Sequence, residues 1–315
     1  MPRHTKVRLG HASTPPVVAV TKPSASNTGY NPALIDGTLT GTQSITTPGT
    51  TIENKIINGQ VQIRTSNVTI RNCLLTGSAT AAMTVVYCDY AGISNALIEH
   101  CTILPAVRGT ATAGFHGHGY TARYCDVSEV VDGFGTFTST SYTTTPANVT
   151  IEYNYVHDLL CLLDPARSDG ITHSDCWQHH GNGGVTVRYN NFQAFPSADS
   201  DADVGGMSCC MVTPDDTKNP APNILIDSNW FDGGMSCVNV NPVDATDTVT
   251  SVTVTNNLFG RLGSRSGGRD VNDMTYRILA NRYVTVPGLP AVTGLDTANG
   301  NVFEDTGTPI TVVRK

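Results

Sequence analysis

Charge is scarce in this chain. Only 14% of its 315 residues are Asp, Glu, Lys or Arg, and the net charge is −7. No lysine lies between Lys55 and Lys218, so the continuous basic face that nucleic acid requires is missing. No apolar run is long enough to cross a bilayer. There is no CxxC pair. Structural zinc needs four ligands, so His116/His118 and the doublet His179/His180 leave no metal site expected. Residues 1–26 lack the apolar centre of a signal peptide; VVAV is the longest such run there. With no export signal, nine cysteines argue against a disulfide framework and for synthesis in the cytoplasm.

Acids are also absent at the start. Arg3, Lys6, Arg8 and Lys22 precede the first acid, Asp36. A basic, proline-containing stretch ahead of an acidic body reads as an attachment arm or flexible tail over residues 1–26.

What is abundant is repetition. The phrase NVTIEYNYV opens at Asn148, and related phrases open at Asn67, Asn95, Gly119, Gly184, Asn223 and Ser251. Weaker copies open at Gly49, Thr275 and Leu295. A period of this size predicts a solenoid. Little of the chain reads as helix, and Thr, Ser, Asn, Val and Gly suit strands and turns.

Each column of the phrase has a physical role. Positions two and four are mostly Val, Ile, Leu or Ala, as in Val149 and Ile151, and should face inward from a strand. Position nine is apolar again, as in Val127, Val156 and Phe192. An odd step separates four from nine, so a bend between them must reset the alternation. Position seven reads Cys73, Cys101 and Cys125, then Asn154, Asn190, Asn229 and Asn257, with Asn281 in a weaker copy. At the ~4.8 Å spacing of stacked coils, inward Asn side chains form a hydrogen-bonded ladder, with the cysteines as small core residues. Position five alternates in sign: Arg71, Glu99, Arg123, Glu152, Arg188, Asp227. Opposite charges on adjacent coils favour in-register stacking, which assigns Arg123 and Arg188 to structure before chemistry.

A minimal coil takes roughly 20–24 residues. The spacing between copies exceeds that in the middle, so loops are expected near 128–147, 157–183 and 193–222. The expected organisation is an arm over 1–26, one all-β solenoid over 27–307 and a C-terminal tail over 308–315.

The opening NTGYNPALIDGTLTGTQSITTPGTTIENKIINGQVQIRTSNVTIRNC, the midsection SDGITHSDCWQHHGNGGVTVRYNNF and the ending NGNVFEDTG resemble right-handed parallel β-helix proteins, pectate-lyase-like in fold, of actinobacteria and their bacteriophages. The resemblance covers roughly residues 27–307. It implies a single-stranded right-handed parallel β-helix of about ten coils. Without a signal peptide it points to the phage branch, where such chains are minor tail proteins of the virion. The expected partners are other tail proteins, through the arm, and host cell-envelope polysaccharide. Phage β-helix spikes are often trimers, so a homotrimer is the analogy to test. The alternative is a polysaccharide lyase or glycoside hydrolase, free or tail-borne.

Candidate chemistry concentrates between the copies at Asn148 and Gly184. His173, Asp175 and Trp177 alternate, so one strand face can present all three. A His beside a carboxylate can move protons near neutral pH, and Asp169 with Asp175 is the first pair for inverting hydrolysis. Trp177, with Gln178 and His179, offers a sugar-stacking patch; the competing reading puts Trp177 in the core among polar turn residues. Tyr124, Tyr153 and Tyr189 share position six. They form either a saccharide strip facing out or, as the favoured reading, an aromatic stack facing in. Asp199, Asp201 and Asp203 alternate in a loop, as calcium-binding oxygens can, although the closing Glu of an EF-hand is absent. Gly117-His118-Gly119 matches half of a polygalacturonase motif, but Asp215-Asp216 follows it instead of preceding it. Arg108 and Arg167 are candidate lyase bases without a supporting pattern.

Overall fold

The computed structural model describes residues 20–138, 146–180, 183–201, 207–213, 223–234, 237–240, 252–260, 278–280, 295–310 and 312–314. Three parallel sheets of ten, ten and nine strands run through them, and every third strand of the chain belongs to the same sheet. The only helix among the described residues is a three-residue 3-10 turn, Pro32–Leu34. The chain is therefore an all-β parallel solenoid. Positions two to five of the repeat form the third sheet, as in Val149–Glu152. Positions eight and nine begin strands of the first sheet, as in Tyr155–Val156. The second sheet has no counterpart in the phrase; Asp132–Phe137 and Ser174–His180 belong to it.

Backbone conformation explains the phrase's punctuation. Its first residue is left-handed in copy after copy: Asn67 (φ 61°), Asn95 (56°), Gly119 (68°), Asn148 (47°), Gly184 (83°), Asn223 (59°). Asn and Gly occupy that region at least cost. The expected bend is present, and its left-handed residue is the sixth: His100 (51°), Tyr124 (54°), Tyr153 (57°), Tyr189 (57°), Ser228 (56°), Asn256 (56°). This residue points away from the core and lets the seventh turn in.

The seventh column is a buried ladder. Nδ2 of Asn154 donates to Oδ1 of Asn190 at 2.9 Å, Asn190 to Asn229 at 2.9 Å, Asn229 to Asn257 at 3.0 Å and Asn257 to Asn301 at 2.8 Å. Each Nδ2 also reaches a third-sheet carbonyl one coil back, as Asn190 does to Ile151 at 2.9 Å. The cysteines extend the series. The thiols of Cys101 and Cys125 point at the carbonyls of Ile70 and Ile98, both at 3.7 Å. They make the ladder's backbone contact with a weaker donor, in addition to filling the core. Asn281 lies outside the described residues.

The fifth column pairs as its signs require: Arg123 with Glu99 at 2.7 Å, Arg188 with Glu152 at 2.8 Å, and Arg71 with Glu53. The arginines are partly exposed while Glu99 and Glu152 are buried beneath them, so the pairs cover buried carboxylates and hold the coils in register. The main stabilisation comes from stacked, buried Val, Ile and Phe side chains, Phe134, Phe192, Phe231 and Phe259 among them.

Residues 20–31 form a strap across the outside of the coils. Lys22 meets Glu304 at 2.8 Å. Buried Asn191 donates to the Pro23 carbonyl at 2.8 Å, the Gly29 amide to the Tyr124 carbonyl at 2.8 Å, the Tyr30 amide to Thr102 Oγ1 at 3.2 Å and the Asn31 amide to Asn72 Oδ1 at 2.6 Å. The strap thus runs from the last first-sheet strand back toward the early ones. Of the arm expected over 1–26, residues 20–26 lie on the solenoid, and 1–19 fall outside the described residues.

Candidate functional site

Second-sheet strands depart from simple alternation near their start. Val85 and Val86, Phe134 with Gly133 before it, Cys176 and Trp177, and Cys209 and Cys210 are adjacent residues that are all buried. Between Ser174–His180 and Met207–Val212 the strand pairing skips the first member of each such pair, Cys176 and Cys209. An inward doublet therefore resets the parity. Asp132, Asp175 and Ser208 come before it and stand in one outer column. Gln178 and His180 come after it and face out.

This geometry places Trp177 in the core. It is fully buried, its indole N–H donates to Thr136 Oγ1 at 2.8 Å, and its ring lies 5.7 Å from that of buried His179. Neither ring face is open to a sugar. Of the sequence candidates here, Gln178 alone keeps an outward, half-buried position.

Of the three expected catalytic groups, His173 and Asp169 stay together and Asp175 parts from them. His173 and Asp169 lie on the exposed loop before the strand. His173 Nε2 hydrogen-bonds Asp169, and Arg167 donates to His173 Nδ1 at 2.8 Å. The His173 contact holds Asp169 below the usual aspartate range. Asp175 has no exposed surface, and Ser208 on the next coil offsets only part of the cost of burying its carboxyl. Its amide donates to Asp132 Oδ1 at 3.1 Å. Burial, then the neighbouring Asp132, pushes the Asp175 carboxyl well up. Asp132 keeps part of its surface open yet is enclosed enough for burial to raise it to about 7, against the opposing pull of the Asp175 amide and Arg167. The carboxyl that accompanies Asp175 is thus Asp132, not Asp169. Sequence spacing hid it, because 43 residues separate the two.

The outer face of the second sheet carries a group that sequence reading left out. Tyr87 stacks on His116 with centroids 5.4 Å apart and planes 3° from parallel. His116 meets Phe137 at 4.8 Å, Tyr90 meets Tyr87 edge-on at 5.4 Å, and the Arg64 guanidinium lies 4.7 Å from the Tyr90 centroid. His118 Nδ1 lies 3.4 Å from Asp89. Burial lowers the His116 pKa, opposed by Asp89 and assisted by His180. Tyr87, His116, Gln178 and Met211 are all half-buried, and together with Gly135 they occupy one register column across successive coils. The signal was there in TVVYC, where adjacent valines precede Tyr87, but the direction of Tyr87 depends on recognising the doublet.

At the bend, the position-six rings point out rather than into the core. His100, Tyr124, Tyr153 and Tyr189 stack at 4.9, 5.1 and 5.0 Å, with planes 7–20° from parallel. Both faces of Tyr153 are covered by neighbouring rings, so it presents its edge and hydroxyl, and Tyr189 is stacked on one face. A groove of about 400 Å³ separates Tyr124 and Tyr153 from strap residues Val20, Thr21 and Pro23.

In the acidic loop, Asp199 pairs with Arg108 at 3.2 Å and Asp201 accepts the Leu163 amide at 2.6 Å. Asp203 and the Asp215-Asp216 doublet lie outside the described residues. No group of three or more His, Cys, Asp or Glu side chains converges as a metal site among the described residues. No family model matches the chain, and no curated protein or solved structure matches it either.

Proposed function

We propose that this chain is a structural protein of a phage tail that holds host cell-envelope glycan along the outer face of its second sheet. The observation that carries the glycan reading is the half-buried column of Tyr87, His116 and Gln178, flanked by Tyr90, Phe137 and His180. The stacked rings present their edges beside hydrogen-bonding groups, and this mixed surface suits a sugar ring, which is apolar on its faces and polar on its rim. Regular coil spacing lets such contacts repeat along an extended polymer. The sequence resemblance supports the phage setting, the homotrimer and the right-handed winding, which parallel crossovers adopt almost without exception. The two ten-stranded sheets support about ten coils.

A direct test is binding of the full chain to purified host-envelope polysaccharide. Tyr87→Ala combined with His116→Ala should weaken it about tenfold, the size of one or two lost ring contacts. Unchanged affinity in that variant would remove the second-sheet face from the reading.

A second reading, a lyase or hydrolase, is favoured by one observation: Asp132, raised to about 7, is a carboxylic acid able to hold or release a proton near neutral pH. Its assay is the appearance of reducing ends or unsaturated-uronate absorbance on the same polysaccharide. Retained binding with no product would sink it.

A further inference from the structure

The stack at the bend ends unevenly. Beyond Tyr189 the next residue of the column is Ser228, and the Arg188 guanidinium lies 5.8 Å from the Tyr189 centroid. Beyond His100 the column continues as Asn72 and Asn54, which carry no ring. The Asn72 amide is engaged on both sides. Its Nδ2 donates to Asn54 Oδ1 at 2.8 Å, and its Oδ1 accepts the Asn31 amide at 2.6 Å. Exposed His100 therefore stacks on Tyr124 with one face and borders a recess at the end of the stack.

That recess measures about 390 Å³ and is lined by His100, Asn54, Asn72, Glu53, Arg71 and Leu34, closed on the strap side by Gly29 and Asn31. A single sugar residue fits a volume of this order. The lining is divided. Leu34 is 55% exposed, one of two large apolar side chains this open among the described residues. Arg71 and Glu53, also in the lining, pair with each other while 48% and 46% of their side chains remain exposed. Because these two charges neutralise one another, the recess does not select an ion. It does place donors and acceptors side by side, as neighbouring hydroxyls require.

We propose that this recess is a second, separate saccharide subsite. It would take one neutral hexopyranose, whose C–H face lies on His100 and so adds one ring to the stack. Hydroxyls on one edge meet Arg71 and Glu53. An apolar substituent on the other edge, such as an acetamido methyl, lies on Leu34. The ligand class rests on the glycan reading above, but the site is on a different part of the solenoid and can fail or stand independently.

The test is long-range ¹H–¹⁵N NMR of the imidazoles in the full chain, titrated with N-acetylglucosamine, glucose and, as a planar control, indole. The expected result is a saturable shift of the His100 signals with N-acetylglucosamine. Arg71→Ala should weaken it about tenfold, by loss of hydrogen bonds to a charged group. Leu34→Ala should weaken N-acetylglucosamine several-fold and glucose little. His100 signals that stay fixed at saturating sugar overturn the subsite, as does indole binding more tightly than either sugar. The Tyr87→Ala/His116→Ala variant separates the two sites: the His100 shift should survive in it. Polysaccharide binding with no His100 response would sink only this subsite, and no sugar binding anywhere would sink both readings.

Discussion

Single side chains carry most of the specificity of this fold. Asn190 illustrates the point. Its Oδ1 accepts from Asn154 Nδ2 and from the Asn154 amide at 3.0 Å, and its Nδ2 reaches Ile151, Arg188 and Asn229. Asn190→Leu leaves those buried groups without partners and should lower stability by roughly 2–4 kcal/mol. Urea denaturation measures this, and a change within error would contradict the buried ladder. Asp132 and Asp175 act in the opposite sense. Folded, they hold protons that the unfolded chain releases above the ordinary aspartate value of 3.8. The unfolded state then binds fewer protons, so stability falls as pH rises from about 4 toward 7 and beyond. Asp175→Asn removes its share of that proton linkage and the like charge beside Asp132. Its stability should fall less than the wild type's between pH 4.5 and 7.5. Parallel pH profiles for the two proteins would refute the arrangement.

Elements show what the sequence could and could not disclose. Strands of the third sheet were readable because Val149 and Ile151 alternate around a Thr, and the bend because Val156 falls on the wrong parity. The ladder followed from Asn at a fixed offset. The outward direction of Tyr153 was not readable, since it depends on which residue of the bend turns left-handed. Trp177 misleads for a related reason. Alternation from His173 through Asp175 to Trp177 assumes a uniform strand, and the buried Cys176-Trp177 pair breaks it. The strap has no repeat at all, so periodicity is blind to it. Gly29 is its tightest point: a Cβ there would come 2.5 Å from Thr102 Oγ1 and 3.0 Å from Asp126 Cβ, at φ +79°. Gly29→Ala should cost about 1–2 kcal/mol in backbone strain alone. It should also speed proteolytic cleavage within residues 20–31, and an unchanged cleavage rate would argue against tight docking.

At the scale of the whole molecule, a solenoid is a sum of neighbour contacts and tends to fray from its ends. The strap adds contacts between coils that are otherwise remote, as Lys22 with Glu304 shows. On the proposal that this chain belongs to a phage tail, removing residues 1–19 should abolish assembly with tail partners, and its thermal transition serves as the reference. Removing 1–31 should also lower and broaden the transition, because the strap no longer ties the coils together. A calorimetric scan of the two truncations, with a co-sedimentation assay, checks both outcomes. An equally sharp transition in the longer truncation would show the strap to be passive.

The strap also sets an order of events during synthesis. Pro23 leaves the ribosome long before Asn191, the side chain that holds it, and longer still before Glu304 is available to Lys22. Gly29–Asn31 can dock once Asn72, Thr102 and Tyr124 have emerged, but Lys22 and Pro23 must wait, undocked, until most of the chain has been made. The strap therefore closes from its C-terminal end, and Lys22 and Pro23, made before the residues around them, are the last of it to reach their final place.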